Sequence, residues 1–265
     1  DFIWMIIDDG STDNTHLLIE EWKKRENGFE IEYYYKNNGG LHSAYNEAIA
    51  HANTELMVCI DSDDYMPDDA VELIINFWSR YGNKSVAGIA ALDMYENGEI
   101  IGDNFPEIKT INLIALMAGK YRIKNGDRKL VVRTDLYKSV APMPSFNGEK
   151  NFNPHYMHLQ ISEKYDFLVM NKPLCVVEYH DEGMSRNILK QYYNSPNSFA
   201  QSRILYLSFR DVPPKFLFRH SIHYVSSCML AKRRNIIKDS PRRLYTIIAY
   251  PFGVLLSCYI RRKCR

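Results

Sequence analysis

Cysteine is scarce in this chain and unpatterned. The 265 residues hold five (Cys59, Cys175, Cys228, Cys258 and Cys264), an odd number with no C-x-x-C and no metal-ligand spacing. That argues against a disulfide-stapled scaffold and a zinc ribbon, and it favours a reducing cytosol. Internal repeats and low-complexity runs are missing as well. Apolar runs are short, and the longest is only marginal for spanning a bilayer, which takes ~20 residues. The longest, Leu244–Ile260, is bounded by Arg242-Arg243 and by Arg261-Arg262-Lys263, a pattern closer to an interfacial helix or to a helix packed on the domain. Acid is nearly absent from the C-terminal segment. From Pro214 onward twelve Lys and Arg face one carboxylate, Asp239, so +11 there is balanced by −10 elsewhere, for a formal net charge of +1. An acidic body with a basic tail points to an anionic surface as partner. The tail mixes its aromatics with long aliphatics and forms no reader motif, so no nucleic acid is expected.

What the chain does have is a full core's worth of apolar residues, 46% of the total. One large domain, or one with an appendage, follows from the length. Strand and helix patterns alternate through the first half. Phe2–Ile7, Glu30–Lys36, Leu56–Ile60 and Val86–Leu92 read as strands, with Cys59 a small hydrophobe in a buried one. Thr15–Arg25, Ala44–Ala52 and Asp68–Tyr81 read as helices, the last with Pro67 in its first turn. The alternation predicts an α/β fold with a mostly parallel sheet. Beyond it, 108–118 reads as a helix, 129–133 as a strand and 134–140 as a short helix. Residues 167–170 and 175–179 read as two strands around Lys172-Pro173, and 187–207, 214–237 and 244–260 as helices. The expected division is a domain over 1–185, in two parts meeting near residue 95, and a helical basic tail over 186–265.

Chemistry concentrates at strand ends. Leu56–Ile60 empties into Asp61-Ser62-Asp63-Asp64. Carboxylates packed this closely raise one another's pKa, and a hard divalent cation relieves the repulsion. Open α/β sheets bind their ligands at such carboxyl ends. A plain acidic helix-capping loop is the bland alternative, and capping is the role expected for Asp64. The first strand ends likewise in Asp8-Asp9-Gly10-Ser11-Thr12-Asp13, and between the two lies the loop Lys36-Asn37-Asn38-Gly39-Gly40-Leu41-His42-Ser43.

In order and spacing, Asp8–Asp13, Asn38-Gly39-Gly40 with Asn46, and Asp61–Asp64 resemble the nucleotide-binding half of the family-2 glycosyltransferases, over about the first third of the chain. The resemblance implies a GT-A fold over 1–185, with a Rossmann-like nucleotide-binding sheet in a nucleotide half over 1–95 and an acceptor half over 96–185. It also implies sugar transfer, of hexosyltransferase type, from a nucleotide donor such as UDP-sugar, assisted by Mn²⁺ or Mg²⁺ and with inversion. Such enzymes build cell-surface polysaccharides, so a saccharide or lipid-linked acceptor and a cytoplasmic, peripheral place at the inner membrane face are expected. The chain opens inside what resembles the family's second strand, so a first strand and helix are expected before it.

The resemblance also implies roles. Asp63 is the metal ligand, with Asp61 on the ribose or reaching the metal through water. Asp8 or Asp9 accepts from the uracil ring N–H. Asn38, Gly39, Gly40 and Ser62 shape the nucleotide pocket, and His180 is a third metal ligand or a structural loop residue. The family's Gly-Glu-Asp string appears as Gly148-Glu149-Lys150. Glu149 is then the candidate base, with Asp166 an alternative, while Lys150 holds a phosphate or an acceptor carboxylate. His155 and His158 read as solvated helix residues, and Tyr33–Tyr35 as core and sheet surface. Three rivals remain. A module that binds nucleotide sugar without turnover keeps the motifs. A phosphoacceptor receiver shares the two acidic strand ends but lacks its Ser/Thr, where Leu92-Asp93 stands, and its Lys-Pro, since Lys172-Pro173 comes too late. A sugar-nucleotide pyrophosphorylase would need a basic Gly-rich loop.

Overall fold

The structure, a computed structural model, describes residues 2–123, 126–178 and 187–264. β1 (Ile3–Asp8), α1 (Thr15–Lys23), β2 (Glu30–Tyr35), α2 (Leu41–His51), β3 (Leu56–Val58), α3 (Ala70–Tyr81) and β4 (Val86–Met94) alternate as the apolar periodicity predicts. On α3 the buried residues are Ala70, Ile74 and Trp78, one stripe at i, i+4 and i+8. Trp78 fastens that stripe by donating its Nε1–H to Glu55 at 2.8 Å. β4 is buried continuously from Val86 to Asp93, as expected of a strand covered on both faces. α2 starts at Leu41, three residues earlier than its pattern predicts. β3 is shorter and only half-buried, and Cys59 beyond it is exposed rather than a core hydrophobe. The reason is position, for β3 is an edge strand, paired on one side only.

The strands form two sheets. β1 and β2 pair in parallel. Five others run in the order β3-β6-β4-β7-β5, with β5 (Thr110–Ile111), β6 (Arg128–Arg133) and β7 (Asp166–Val176). Only β4–β7 is parallel in this sheet; β3–β6, β4–β6 and β5–β7 are antiparallel. The mostly parallel sheet expected from the alternation is therefore a mixed one. Parallel neighbours need a long crossover. The helix expected over 108–118 is instead β5 followed by a five-residue helix, α4 (Leu113–Met117), started by Asn112, whose side chain accepts from the Ala115 N–H. β7 runs unbroken through Lys172-Pro173, with register shifts against β4 that set Pro173 opposite Leu92.

Helices α5 (Thr134–Val140), α6 (His155–Ser162), α7 (Ile188–Asn194), α8 (Pro196–Ser208), α9 (Pro214–Leu230) and α10 (Arg243–Cys264) complete the fold. The single helix expected over 187–207 breaks at Ser195, because Pro196 disfavours helical backbone before it and suits the first turn after it. One core gathers Ile49, Leu92, Tyr137, Phe152 and Phe167 with Leu207, Phe216 and Val225. A second core holds Ile74, Trp78, Ile89, Val131 and Leu174. The segment from 187 onward thus shares the core of the sheet and is not a loose appendage.

Candidate active site

The turn after β3 brings three carboxylates together. Asp61, Asp63 and Asp64 each offer an oxygen, and all three lie within 4.8 Å of one another. Opposite ligands of an octahedral Mg²⁺ stand roughly 4 Å apart, so the spacing suits a small divalent ion. Asp61, Ser62 and Asp63 are exposed; the Asp64 N–H donates to the Asp61 carbonyl at 3.0 Å and closes the turn. Surrounding protein mass pushes the Asp61 carboxyl up, and the charges of Asp63 and Asp127 push it further, against the pull of Lys129. Asp64 is raised in the same way, by burial and then by Asp61 and Asp63. A cation would relieve both. Asp64 does not cap the next helix, since α3 begins at Ala70 behind Asp69. It accepts instead from the Glu178 N–H at 3.3 Å. His180, the expected third ligand, lies outside the described residues.

The end of β1 is tied to the Gly/Asn loop. The Asp8 carboxylate accepts from the Ser11 N–H at 2.7 Å and from the Tyr33 hydroxyl at 2.7 Å. Burial alone would raise the Asp8 carboxyl, but these bonds outweigh it and hold it below the ordinary range. Tyr33 in turn is pushed up to about 12, by burial and by that partner. Asp8 is 5% exposed, with one oxygen closing the turn at Ser11 and the other tied to Tyr33 on β2. Asp9 accepts from Lys36 Nζ at 2.6 Å and from the Gly39 and Gly40 N–H groups at 2.9 and 2.7 Å. Its burial is likewise outweighed by these donors, and its carboxyl sits low. Asp9 is the more open of the pair, and its Oδ2 accepts from Gly40 alone among the described residues. Lys36, the cation of this clamp, was not singled out by the sequence reading.

Across a cleft of about 260 Å³, Asn38, Gly39, His42 and Ser43 face Ser145, Phe146, Gly148, Glu149 and Lys150. Lys150 Nζ donates to Asn38 Oδ1 at 2.6 Å. Gly40 makes this approach possible. Its φ is +88°, and a Cβ there would fall 1.9 Å from the Lys150 carbonyl oxygen. Asn46 holds the same two segments together, donating Nδ2–H to the Met143 carbonyl at 3.0 Å and accepting its N–H at 2.8 Å. Glu149, the expected base, is 7% exposed and fully engaged. Its Oε1 accepts from the Asn197 N–H and Nδ2–H at 2.8 and 3.0 Å; its Oε2 accepts from the Ser198 N–H and hydroxyl, both at 2.7 Å. This carboxylate caps α8, satisfying first-turn N–H groups and the positive end of the helix dipole. A proton acceptor needs a free lone pair aimed at the acceptor hydroxyl, and in this geometry Glu149 has none. Asp166, the alternative acid, is bonded to Asn112 Nδ2 at 3.0 Å, away from the cleft.

Two histidines also fall differently from expectation. His158 is a core residue, 2.7 Å from the Tyr137 hydroxyl, and burial pushes its pKa down to about 3. His155 is half-buried, and burial takes it to about 4. A further acid lies beneath the Asp61–Asp64 turn. Asp93 is 2% exposed, and its Oδ1 has no partner among the described residues. Burial lifts it to about 6, with Lys129 pulling the other way. The signal was a carboxylate ending the most apolar strand of the chain.

Residues 4–138, about half of the chain, match the family model for glycosyl transferase family 2. The chain belongs to that family. It is 28% identical over 261 residues to hyaluronan synthase of Pasteurella multocida, covering 93% of this chain and 25% of the relative. To chondroitin synthase of Pasteurella multocida strain Pm70 it is 29% identical over 262 residues, covering 93% of this chain and 26% of the relative. The chain therefore spans about a quarter of these curated relatives. Among solved structures, S. aureus TarS superimposes with a TM-score of 0.57 at 14% identity, over 98% of this chain and 49% of TarS. TarS 1–349 in complex with UDP-GlcNAc gives 0.53 at 14% identity, over 98% of this chain and 82% of that one. The fold is of the GT-A type, an α/β sheet with helices packed against it.

Proposed function

We propose that this chain transfers a sugar from a nucleoside diphosphate donor, a UDP-sugar, to a saccharide or lipid-linked acceptor in cell-surface polysaccharide synthesis. The observation that carries this reading is the convergence of three carboxylates at the end of β3, in a family-2 chain whose Asp9 clamps the Gly39-Gly40 loop. The relatives named for polysaccharide synthesis and the TarS complex with UDP-GlcNAc support it.

Asp63 and Asp61 would hold Mn²⁺ or Mg²⁺, with Asp64 at their side. Bound there, the ion neutralises the charge that develops on the leaving diphosphate. The chain's own residues do the rest. Asp9 fixes the loop of Asn38, Gly39 and Gly40 against the nucleotide, with Oδ2 able to accept from the base. Asp61 would also reach the ribose, and Ser62, in the same exposed turn, would help shape the nucleotide pocket. Lys150, bridged to Asn38, offers a cation to a phosphate or to an acidic group of the acceptor. Glu149 positions the wall of the cleft through α8. Inversion is the stereochemistry this family reading carries. The site of action is the cytoplasm, at the inner face of the membrane, where donor and lipid-linked acceptor meet.

One observation favours a second reading, a module that binds the nucleotide sugar without turning it over. Glu149 is the one carboxylate among the described residues lining the cleft, and it is committed to α8. Calorimetric titration of UDP with and without Mn²⁺, alongside Asp63→Ala, tests the donor site. Metal-dependent binding that Asp63→Ala abolishes supports it, and binding that ignores both metal and Asp63 refutes it. UDP release from UDP-sugars then separates transfer from binding alone.

A further inference from the structure

Helix α10 is amphipathic the wrong way round for a helix packed on a soluble domain. Its buried side is small or polar: Thr246, Ala249, Gly253 and Ser257, with Ile260 at the end. That side meets α9 closely, and a Cβ on Gly253 would fall 2.5 Å from Val225 Cβ. The large apolar residues Leu244, Ile247, Ile248, Phe252, Leu255 and Tyr259 point outward, each at least half exposed, with Leu244 and Leu255 at 68%. Their spacing of three and four residues makes them one continuous stripe. Phe218 on α9 widens it, its ring meeting Phe252 edge-on at 5.8 Å.

Charge says what covers this stripe. Arg242 and Arg261 are spent inside the fold, donating to the carbonyls of Leu207 and Phe209 and of Met229. Arg243, Arg262 and Lys263 remain exposed at the two ends of the stripe, and exposed Lys215 and Arg219 lie within a turn of Phe218. No acid lies between Leu244 and Lys263. A partner protein with an apolar groove has no need of cations at both ends. An anionic bilayer does, because apolar side chains enter the acyl boundary while Lys and Arg meet the headgroups.

We propose that α10 lies flat on an anionic lipid surface, its Leu244–Tyr259 stripe in the bilayer interface and Arg243, Arg262 and Lys263 on the headgroups. Vesicle binding needs no donor or acceptor, so this inference stands or falls apart from the sugar-transfer reading. The test is flotation of the full chain with phosphatidylcholine vesicles, with and without phosphatidylglycerol. Binding is expected to be at least ~10-fold stronger with the anionic lipid and to weaken with salt. Ile248→Ser with Leu255→Ser is expected to reduce it at least ~10-fold without altering the melting curve, since both side chains are solvent-exposed. Arg262→Glu with Lys263→Glu is expected to remove the preference for anionic lipid. Absence of flotation with phosphatidylglycerol, or equal binding by the serine variant, overturns the proposal. So does a dimer in sedimentation velocity that the serine variant dissociates while vesicle binding is absent, which would assign the stripe to a second copy of the chain.

Discussion

Replacing Glu149 by Gln separates a cap from a base. The carboxylate receives four hydrogen bonds from Asn197 and Ser198 at the start of α8. An amide keeps one oxygen, which can still serve Asn197, but it turns an NH₂ group toward the Ser198 N–H and hydroxyl. The Ser198 hydroxyl can turn to accept from that NH₂, but the Ser198 N–H loses its acceptor, and the negative charge at the helix N-terminus is lost as well. Hydrogen bonds to a charged group contribute about 1.5–3 kcal/mol each, and a charge at a helix N-terminus about 0.3–1 kcal/mol. These contributions overlap, so Glu149→Gln is expected to cost about 2–3 kcal/mol and Glu149→Ala about 3–4 kcal/mol. Urea denaturation of the wild type and both variants reads this directly. UDP release from a UDP-sugar, measured where all three remain folded, reads the chemistry. A general base contributes about 10²–10⁴-fold to rate. If Glu149→Gln left stability within about 0.5 kcal/mol of wild type while kcat fell ~10³-fold, the carboxylate would have to leave α8 to take the acceptor proton, and the capping argument would be refuted.

Three further outcomes follow. Gly40→Ala is expected to destabilise by roughly 3 kcal/mol or more and to weaken UDP binding, because the new Cβ meets the Lys150 carbonyl at 1.9 Å with φ at +88°; near-wild-type melting would contradict the close approach. Asn46→Ala removes both bonds to the Met143 backbone and is expected to cost about 2–3 kcal/mol in urea denaturation, whereas Asn46→Asp, which keeps the acceptor, loses less. Asp93 carries a pH signature. Its folded-state pKa of about 6 lies above the ordinary 3.8, so between those values the folded state holds the proton that the unfolded state has released. The stability from that proton is full below about pH 4, falls as pH rises through about 6, and is absent above it, a loss of order 3 kcal/mol at most. With metal chelated, Asp93→Asn is expected to flatten this part of the stability–pH profile; an unchanged slope would rule the assignment out.

Local chemistry in the sequence was a good guide to the first third of the chain and a poor one to the long-range contacts. β1, β2 and β4 and the three polar loops were legible because each carries its own signal, an apolar run of strand length followed by carboxylates or by Gly and Asn. The role of Glu149 was not, because its partners stand 48 and 49 residues away and nothing local in Gly148-Glu149-Lys150 distinguishes a cap from a base. Resemblance pointed toward the base, whereas the packing of α8 engages both oxygens of that carboxylate. Asp64 misled for the opposite reason, since it stands close enough to α3 to suggest a cap while its bond partner is at 178. In α10 the periodicity was on the page but its sign was not. Residues 246, 249, 253, 257 and 260 recur at helical spacing, and composition alone left open whether the large apolar stripe met the domain or a membrane interface. Which face turns inward is decided by α9, whose Val225 leaves room for a glycine and for nothing larger. Small residues let two helices approach closely, and the large ones are left outside because the close approach excludes them. Hence Gly253→Leu should force α9 and α10 apart and lower the melting temperature, while Leu255→Ala, which keeps a strong helix former at an exposed position, should leave folding almost untouched and cost vesicle binding. The reverse ranking would mean that the stripe, not the glycine face, holds α10 to the protein.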